Sequence, residues 1–305
     1  MDWTEQIQNA IDYIEERLEE KIDYAEVAKR AYASSYHFQR VFGILCGLTL
    51  GEYIRRRRLS KAVGDLLAGE KVLEVAVKYG YESSESFSRA FFKFHGVLPS
   101  ALKRGDAVKN FAKLSLKKDQ RGGTPLNCKI IEQSEKRLVG FGKRFHGVPY
   151  GKERLMQEDA FYSSTRGKQW LLIGAAGTPQ ADYAIVTNLD DEGYDFYIAY
   201  ELDEWTERAI FDPSITGMDL QDAGFEVLLL PKQTCAVFCT EQSTHPIADY
   251  TDLRRRIVTE WLPQSDFRFA EGPEVVKLHW RNGEREKRFV EIALPIERKA
   301  YEQTK

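Results

Sequence analysis

Two kinds of apolar spacing divide this chain. From about residue 5 to residue 105 the hydrophobic positions recur at helical intervals, and from about residue 125 they gather into short β-rich runs. Within the helical part, Tyr24–Ala31 offers a short helix through Ala25, Val27, Ala28 and Ala31. A turn and then SSYHFQRVFGIL follow, with Phe38, Val41, Phe42 and Leu45 at i, i+3, i+4 and i+7. At about 100° per residue those four share one face, which leaves Tyr36, Gln39, Arg40 and Gly43 on the other. The arrangement recurs: Val72, Val75, Ala76 and Tyr79 mark a short helix, and Gly80 supplies a turn. SSESFSRAFFKF then places Phe87, Ala90, Phe91 and Phe94 opposite Glu85, Ser88 and Arg89. Ala28 and Ala76 lie 48 residues apart, whereas Phe38 and Phe87, or Arg40 and Arg89, lie 49 apart, so the second turn holds one extra residue. This is a duplicated helix-turn-helix.

Between the copies, Thr49–Ala68 reads as one long helix with Thr49 as N-cap and Glu52 at the capping-box position. Its Arg55–Arg58 run suits either a solvated face or contacts to phosphates. Beyond residue 125 come RLVGFGKRF, YDFYIAYEL, FEVLLL, TCAVFCT and RFVEIALPI. The polar, basic stretch KNFAKLSLKKDQRGGTPLN separates the two patterns. The expected organisation is therefore multidomain: an all-α module over 1–105, a linker over 106–124 and an α+β module over 125–300.

Composition adds limits to this picture. A chain of 305 residues, 43% hydrophobic and 30% charged, can fill two soluble cores. No run of 18 apolar residues is present to span a bilayer, and the first residues lack the features of a signal peptide, so a cytoplasmic location is expected. Cys46, Cys128, Cys235 and Cys239 are too few and too scattered for a disulfide framework, and read as small buried thiols. The net charge of −3 hides a division. Residues 24–118 hold 18 Lys/Arg against 8 Asp/Glu, a net of +10, and residues from 123 onward hold 23 against 30, a net of −7. Only the first module is expected to meet a polyanion. The five histidines are isolated, and no phosphate loop, nucleophile elbow or dinucleotide fingerprint occurs, so neither a metal nor a cofactor is expected.

The segment GYESSESFSRAFFKFHGVLPSALKR resembles the signature of the AraC/XylS family of transcription regulators, and the resemblance extends over about residues 6–104. It implies two helix-turn-helix units joined by a long helix, each placing its second helix in the major groove of promoter DNA, with RNA polymerase as a protein partner. Carried over by position, the base readers are Tyr36, Gln39 and Arg40 in the first unit and Ser84, Glu85, Ser86, Ser88 and Arg89 in the second. The side-chain chemistry suits them: arginine bonds guanine O6/N7, glutamine reads adenine, and a carboxylate accepts from cytosine N4. Arg89 has a competing intramolecular partner in Glu85, one turn earlier on the same helix. Two departures stand out. Tyr32 occupies the place of a turn glycine, which suggests a different first turn, and Glu85 puts a negative charge on a DNA-facing surface.

Residues about 126–299 resemble the GyrI-like effector-binding domain through RLVGFGKRF, SITGMDLQDAGFEVLLLPKQTCAVF, EWLPQSDFRFAEGPEVVKLHW and FVEIALPIE. This implies duplicated β-α-β-β repeats around a cleft for small molecules, often cationic or aromatic. Tyr197, Tyr200, Trp261 and Glu291 are the candidate cleft residues, with Glu291 pairing a ligand cation while aromatic rings stack on it. Strand alternation sets Phe289, Glu291 and Ala293 against Val290, Ile292 and Leu294, the better core face. Cys235 and Val276 depart from the family pattern, at positions that are commonly tyrosine and acidic. The leading expectation is a ligand-responsive transcription regulator. The alternative is a hydrolase in which Glu291 is general base and Tyr200 its partner.

Overall fold

The computed structural model describes residues 3–116, 126–150, 152–177, 179, 181–217, 219–280 and 285–299. It divides into a helical unit, residues 2–120, and a sheet unit, residues 121–305.

The helical unit opens with α1 (Trp3–Glu16), whose Trp3, Ile7, Ala10, Ile11 and Ile14 form one buried stripe. Then come α2 (Tyr24–Arg30), α3 (Ser35–Cys46), α4 (Leu50–Ala68), α5 (Val72–Lys78) and α6 (Ser84–His95). The first core gathers Val27, Ala28, Phe38, Val41 and Phe42 beneath α1 and the start of α4, where Tyr53 meets Phe42 edge-on at 5.9 Å. A second core joins Leu59 and Ala62 of α4 to Val75, Ala76, Tyr79, Phe87 and Phe91. The apolar positions expected on the two faces supply both cores. Thr49 does cap α4, its side chain accepting from the Glu52 amide at 3.0 Å.

The segment expected to be a linker does not all run free. Its Phe111 amide donates to Ser60 Oγ at 2.9 Å, and the Phe111 carbonyl accepts from Arg57. Lys113 pairs with Asp12 at 2.8 Å, and the Leu116 amide donates to Gln8 Oε1 at 2.9 Å. Up to residue 116 this strap is part of the helical unit, because its backbone groups find their partners on α1 and α4.

In the sheet unit the order is β1 (Cys128–Gln133), β2 (Lys136–His146), α7 (Lys152–Ser164), α8 (Arg166–Ala175), β3 (Asp182–Thr187) and β4 (Gly193–Tyr200). The second half holds α9 (Glu204–Ile210), α10 (Pro213–Thr216), β5 (Glu226–Leu230), β6 (Gln233–Cys239), α11 (Pro246–Arg256), β7 (Phe267–Phe269), β8 (Glu274–His279) and β9 (Phe289–Arg298). A π-turn, Ile257–Trp261, continues α11. The strands lie in the order β1-β6-β9-β8-β3-β4-β2-β5, every described neighbour antiparallel, with β7 paired to β9. One face carries Phe145, Tyr194 and Phe196 beneath Phe161 of α7, and Phe238 beneath Trp261. The opposite face buries Leu138, Tyr183, Ile185, Ala199, Val237 and Val275.

Candidate DNA-binding surface and sensing site

The two helix-turn-helix copies match closely. Ser34 and Ser83 cap α3 and α6, their hydroxyls accepting from the His37 and Ser86 amides, and Gly47 and Gly96 end both helices in the left-handed conformation. A serine oxygen satisfies an amide left open at the helix start, and glycine adopts positive φ without steric penalty. The first bend of each turn is also the same, although the second copy has one more residue before its serine cap. Tyr32 sits at φ 51°, and the Ala33 amide donates to the Ala28 carbonyl at 3.1 Å; Gly80 sits at φ 77°, and the Tyr81 amide donates to the Ala76 carbonyl at 2.9 Å. The expected difference in the first turn is therefore absent: Tyr32 accepts the strained conformation that Gly80 takes freely.

On α6, Glu85 and Arg89 are 82% and 76% exposed, and their charged groups are 4.0 Å apart. The pair meets only at the limit of contact, so the Arg89 guanidinium stays open to an outside partner. Ser86 and Ser88 hydroxyls donate back to the Ser83 and Ser84 carbonyls at 2.9 and 2.6 Å, which leaves their lone pairs facing outward as acceptors. Ser84 occupies the first position of the helix, half-buried. On α3, Tyr36 and Gln39 are half-buried, and Gln39 Nε2 donates to Ser35 Oγ at 3.4 Å. Arg40 is placed differently from the expectation of an open base reader. It is only 2% exposed, and its Nη1 donates to the Tyr36 hydroxyl at 3.3 Å. Helical side chains lean toward the N-terminus, so a guanidinium at i+4 folds back over the ring at i.

Neither reading of Arg55–Arg58 describes the whole run. Arg57 binds Glu15 through Nε and Nη2 at 2.7 and 2.8 Å, with both side chains 11% exposed. Burial alone would raise the Glu15 carboxyl, but the Arg57 and Tyr53 hydrogen bonds hold it below its ordinary value. Arg58 donates to the Leu18 and Glu20 carbonyls at 2.8 and 2.6 Å, and Arg56 pairs with Glu52. Arg55 is the exposed member of the four. The acidic α1 that engages Arg57 also alters the charge balance. Over 2–120 there are 20 Lys/Arg against 17 Asp/Glu, a net of +3, so basicity belongs to a surface and not to the unit as a whole.

In the sheet unit the four expected cleft residues fall on two faces. Residues paired across antiparallel strands point to the same side. Tyr197 pairs with Ile185, Ile185 with Val275, and Val275 with Ala293, two residues from Glu291 on the same face. Tyr200 has the opposite parity, and Trp261 meets Phe238, paired with Ile292, on that same opposite face. Tyr197 and Glu291 also stand three strands apart, roughly 15 Å at ordinary strand spacing. The Tyr197 ring lies over Gly142 in the neighbouring strand, where a Cβ would come within 2.3 Å of it. Trp261 stacks on Phe267 at 6.4 Å. Glu291 accepts from Lys277 Nζ at 2.6 Å across the β8–β9 pair, so its charge is already matched. A hydrolytic pair of Glu291 and Tyr200 would need both on one face. None of the four cysteines is in a disulfide, and Cys239 is exposed, contrary to the expectation of buried thiols.

Sequence reasoning missed a buried polar cluster on the helix-covered face. Arg154 of α7 donates from Nε to Glu158 Oε1 at 2.6 Å and from Nη1 to the Pro149 carbonyl at 2.6 Å. Arg254 of α11 donates from Nη1 to Glu274 Oε2 at 3.0 Å, and its guanidinium lies 4.9 Å from the Tyr150 ring centre and 4.8 Å from that of Tyr250. Burial pulls the Arg254 guanidinium below its ordinary value; on Arg154 burial is outweighed by Glu158 and neighbouring tyrosines, which raise it. Glu274 lies two residues before Val276, the position expected to be acidic, and therefore faces the same side of β8. That spacing was the available signal. Among the described residues, no group of His, Cys, Asp and Glu side chains is arranged to hold a metal, and no helix is long and apolar enough to cross a membrane.

A family model described as a helix-turn-helix domain matches residues 27–105. Transposon Tn10 TetD protein of Escherichia coli is 38% identical over 99 residues, 32% of this chain and 72% of that protein. The HTH-type transcriptional activator AarP of Providencia stuartii is 33% identical over 105 residues, 34% of this chain and 78% of that protein. Among solved structures, that of SAV2435 bound to tetraphenylphosphonium is similar with a TM-score of 0.41 and 15% identity, over 56% of this chain and 94% of that one.

Proposed function

This chain belongs to the AraC family of DNA-binding transcription regulators, and on that premise we propose that α3 and α6 read promoter DNA while the sheet unit holds a small-molecule effector that adjusts this activity. The observation that carries the reading is the equivalence of the two helix-turn-helix copies, down to the serine caps, the left-handed turn residue and the glycine ends. Two recognition helices held on one continuous α4 can enter successive major-groove segments without a second chain.

Within this reading Arg89 makes the bidentate contact of the second copy, supported by its exposure. Ser84, Ser86 and Ser88 approach backbone or base edges, and Glu85 accepts from a cytosine amine. Tyr36 and Gln39 read in the first copy, and Arg40 joins them once its guanidinium leaves Tyr36. Recruitment of RNA polymerase follows from the role of a promoter-bound activator. The sheet unit is read as duplicated: β2-α7-β3-β4 and β6-α11-β8-β9 occupy equivalent places from either end of the strand order, with β1 on β6 and β5 on β2. The α7 and α11 side of that sheet is the effector side. An effector changes DNA binding only through different affinity for two states of the protein.

The test is a gel shift on the DNA upstream of the gene and its neighbours. Arg89→Ala and Gln39→Ala should each weaken specific binding, by about 1–3 kcal/mol for a base contact. Arg40→Ala is run with a melting curve, since its burial ties it to the fold as well. Unchanged specific binding by all three variants removes the base-reading assignment.

A further inference from the structure

Glu291 and Glu274, the carboxylates that a cationic effector would seek first on the two faces of the sheet unit, already have basic partners. Glu291 holds Lys277, and Glu274 holds Arg254 with Arg154 at 4.0 Å. A second cation brought to either place would meet a compensated charge and a neighbouring like charge. What remains unanswered in the α7–α11 cluster is donors. Arg254 is 4% exposed and its Nε–H has no acceptor, because its contacts to Glu274 run through the Nη atoms. Tyr194 is fully buried and its hydroxyl has no partner, and the buried hydroxyl of Tyr162 is in the same condition. Tyr194 lies within electrostatic range of Arg154, Arg254 and Glu158, and Tyr162 within range of Arg154, Glu158 and Asp182, so Arg154 and Glu158 link the two hydroxyls. A buried donor without an acceptor is costly, and a fold that keeps three together offers them to an acceptor from outside. Aromatic rings of Tyr150 and Tyr250 flank the Arg254 guanidinium, as they would flank a flat ligand beside it. The helix that carries Arg254 changes to a π-turn at Ile257, a local widening that recurs at functional sites.

We propose that the effector is an aromatic carboxylate and not a cation, its anionic group received by Arg254 Nε–H and the Tyr194 and Tyr162 hydroxyls between α7 and α11. This rests on the effector reading of the sheet unit and specifies its ligand class.

The experiment is calorimetric titration of the full-length protein with biphenyl-4-carboxylate and, separately, with tetraphenylphosphonium. The carboxylate should bind, and the phosphonium should bind at least about tenfold more weakly. Arg254→Gln should lower carboxylate affinity by about tenfold or more, as loss of a charged hydrogen-bond donor does. Because Arg254→Gln also leaves Glu274 short of a partner, Tyr194→Phe is the companion variant. It keeps the ring packing, removes only the hydroxyl, and should lower carboxylate affinity several-fold. Tighter binding of the phosphonium overturns the ligand class and leaves the effector reading standing. Carboxylate binding that is unaltered in both variants overturns the location. Binding of neither probe at millimolar concentration overturns the proposal together with the effector reading beneath it.

Discussion

Tyr32 and Gly80 perform the same turn at different conformational expense, which makes Tyr32→Gly a direct test of that turn. Tyr32 holds φ 51° with 81% of its surface exposed, along an open groove that Tyr13 and Arg30 also line. A left-handed non-glycine residue costs about 1–2 kcal/mol. Glycine relieves this, but its greater freedom in the unfolded chain takes back about 0.4–1 kcal/mol. Because the ring is so exposed, its lost packing is small, and the expected net gain is about 0.5–1 kcal/mol. For a unit of this size that is about 2–4 °C in the unfolding midpoint. Hydrogen exchange in the full-length chain, read on peptides spanning α2 and α3, isolates the effect from the sheet unit. Amides such as that of Ala33, bonded to the Ala28 carbonyl, should exchange more slowly. The reciprocal change, Gly80→Ala, should cost about 1–2 kcal/mol for the positive φ alone, and more because the new methyl would lie 2.9 Å from Arg58 Nη1. A neutral or destabilising Tyr32→Gly, or a harmless Gly80→Ala, would refute the equivalence of the two turns.

Other outcomes follow from the same geometry. Arg57→Ala should destabilise the helical unit by about 3 kcal/mol, since it strands the half-enclosed Glu15 carboxylate and releases the Phe111 carbonyl; urea unfolding followed by α-helical ellipticity measures it, and a loss under about 0.5 kcal/mol would show that solvent replaces both contacts. His95 is buried with Nε2 3.0 Å from the Leu59 carbonyl, and burial holds its pKa below the ordinary value. The unfolded chain then binds the proton more readily, so stability should be full at pH 7.5 and fall as pH drops through about 6.5 toward the depressed folded value. Thermal unfolding of wild type and His95→Asn across that range tests it, and identical pH slopes would sink the assignment. Glu85→Gln should raise affinity for nonspecific DNA while relaxing preference at one base pair, measured by binding to a mutated operator series; an unchanged preference would mean that Glu85 reads no base.

Local chemistry made much of the helical unit legible. Faces at helical spacing, the Thr49 cap and the offsets of 48 and 49 all depend on neighbours within a few residues, and the structure repeats them at Ser34, Ser83, Gly47 and Gly96. Strand alternation likewise separated Val290, Ile292 and Leu294 from Glu291, and those three are buried. Even the division of Tyr197 from Tyr200 follows from their odd spacing within one strand. Only tertiary packing could decide where the charged side chains ended. Arg57 reaches Glu15 from 42 residues away, and Arg254 reaches Glu274 only because β8 passes beneath α11. The strand order that puts β3 beside β8 joins segments about ninety residues apart, and no pattern along either strand specifies that neighbour. Periodicity determines which face a residue takes; what stands across from that face is set by non-local pairing, and with it the charge and donor balance of the site.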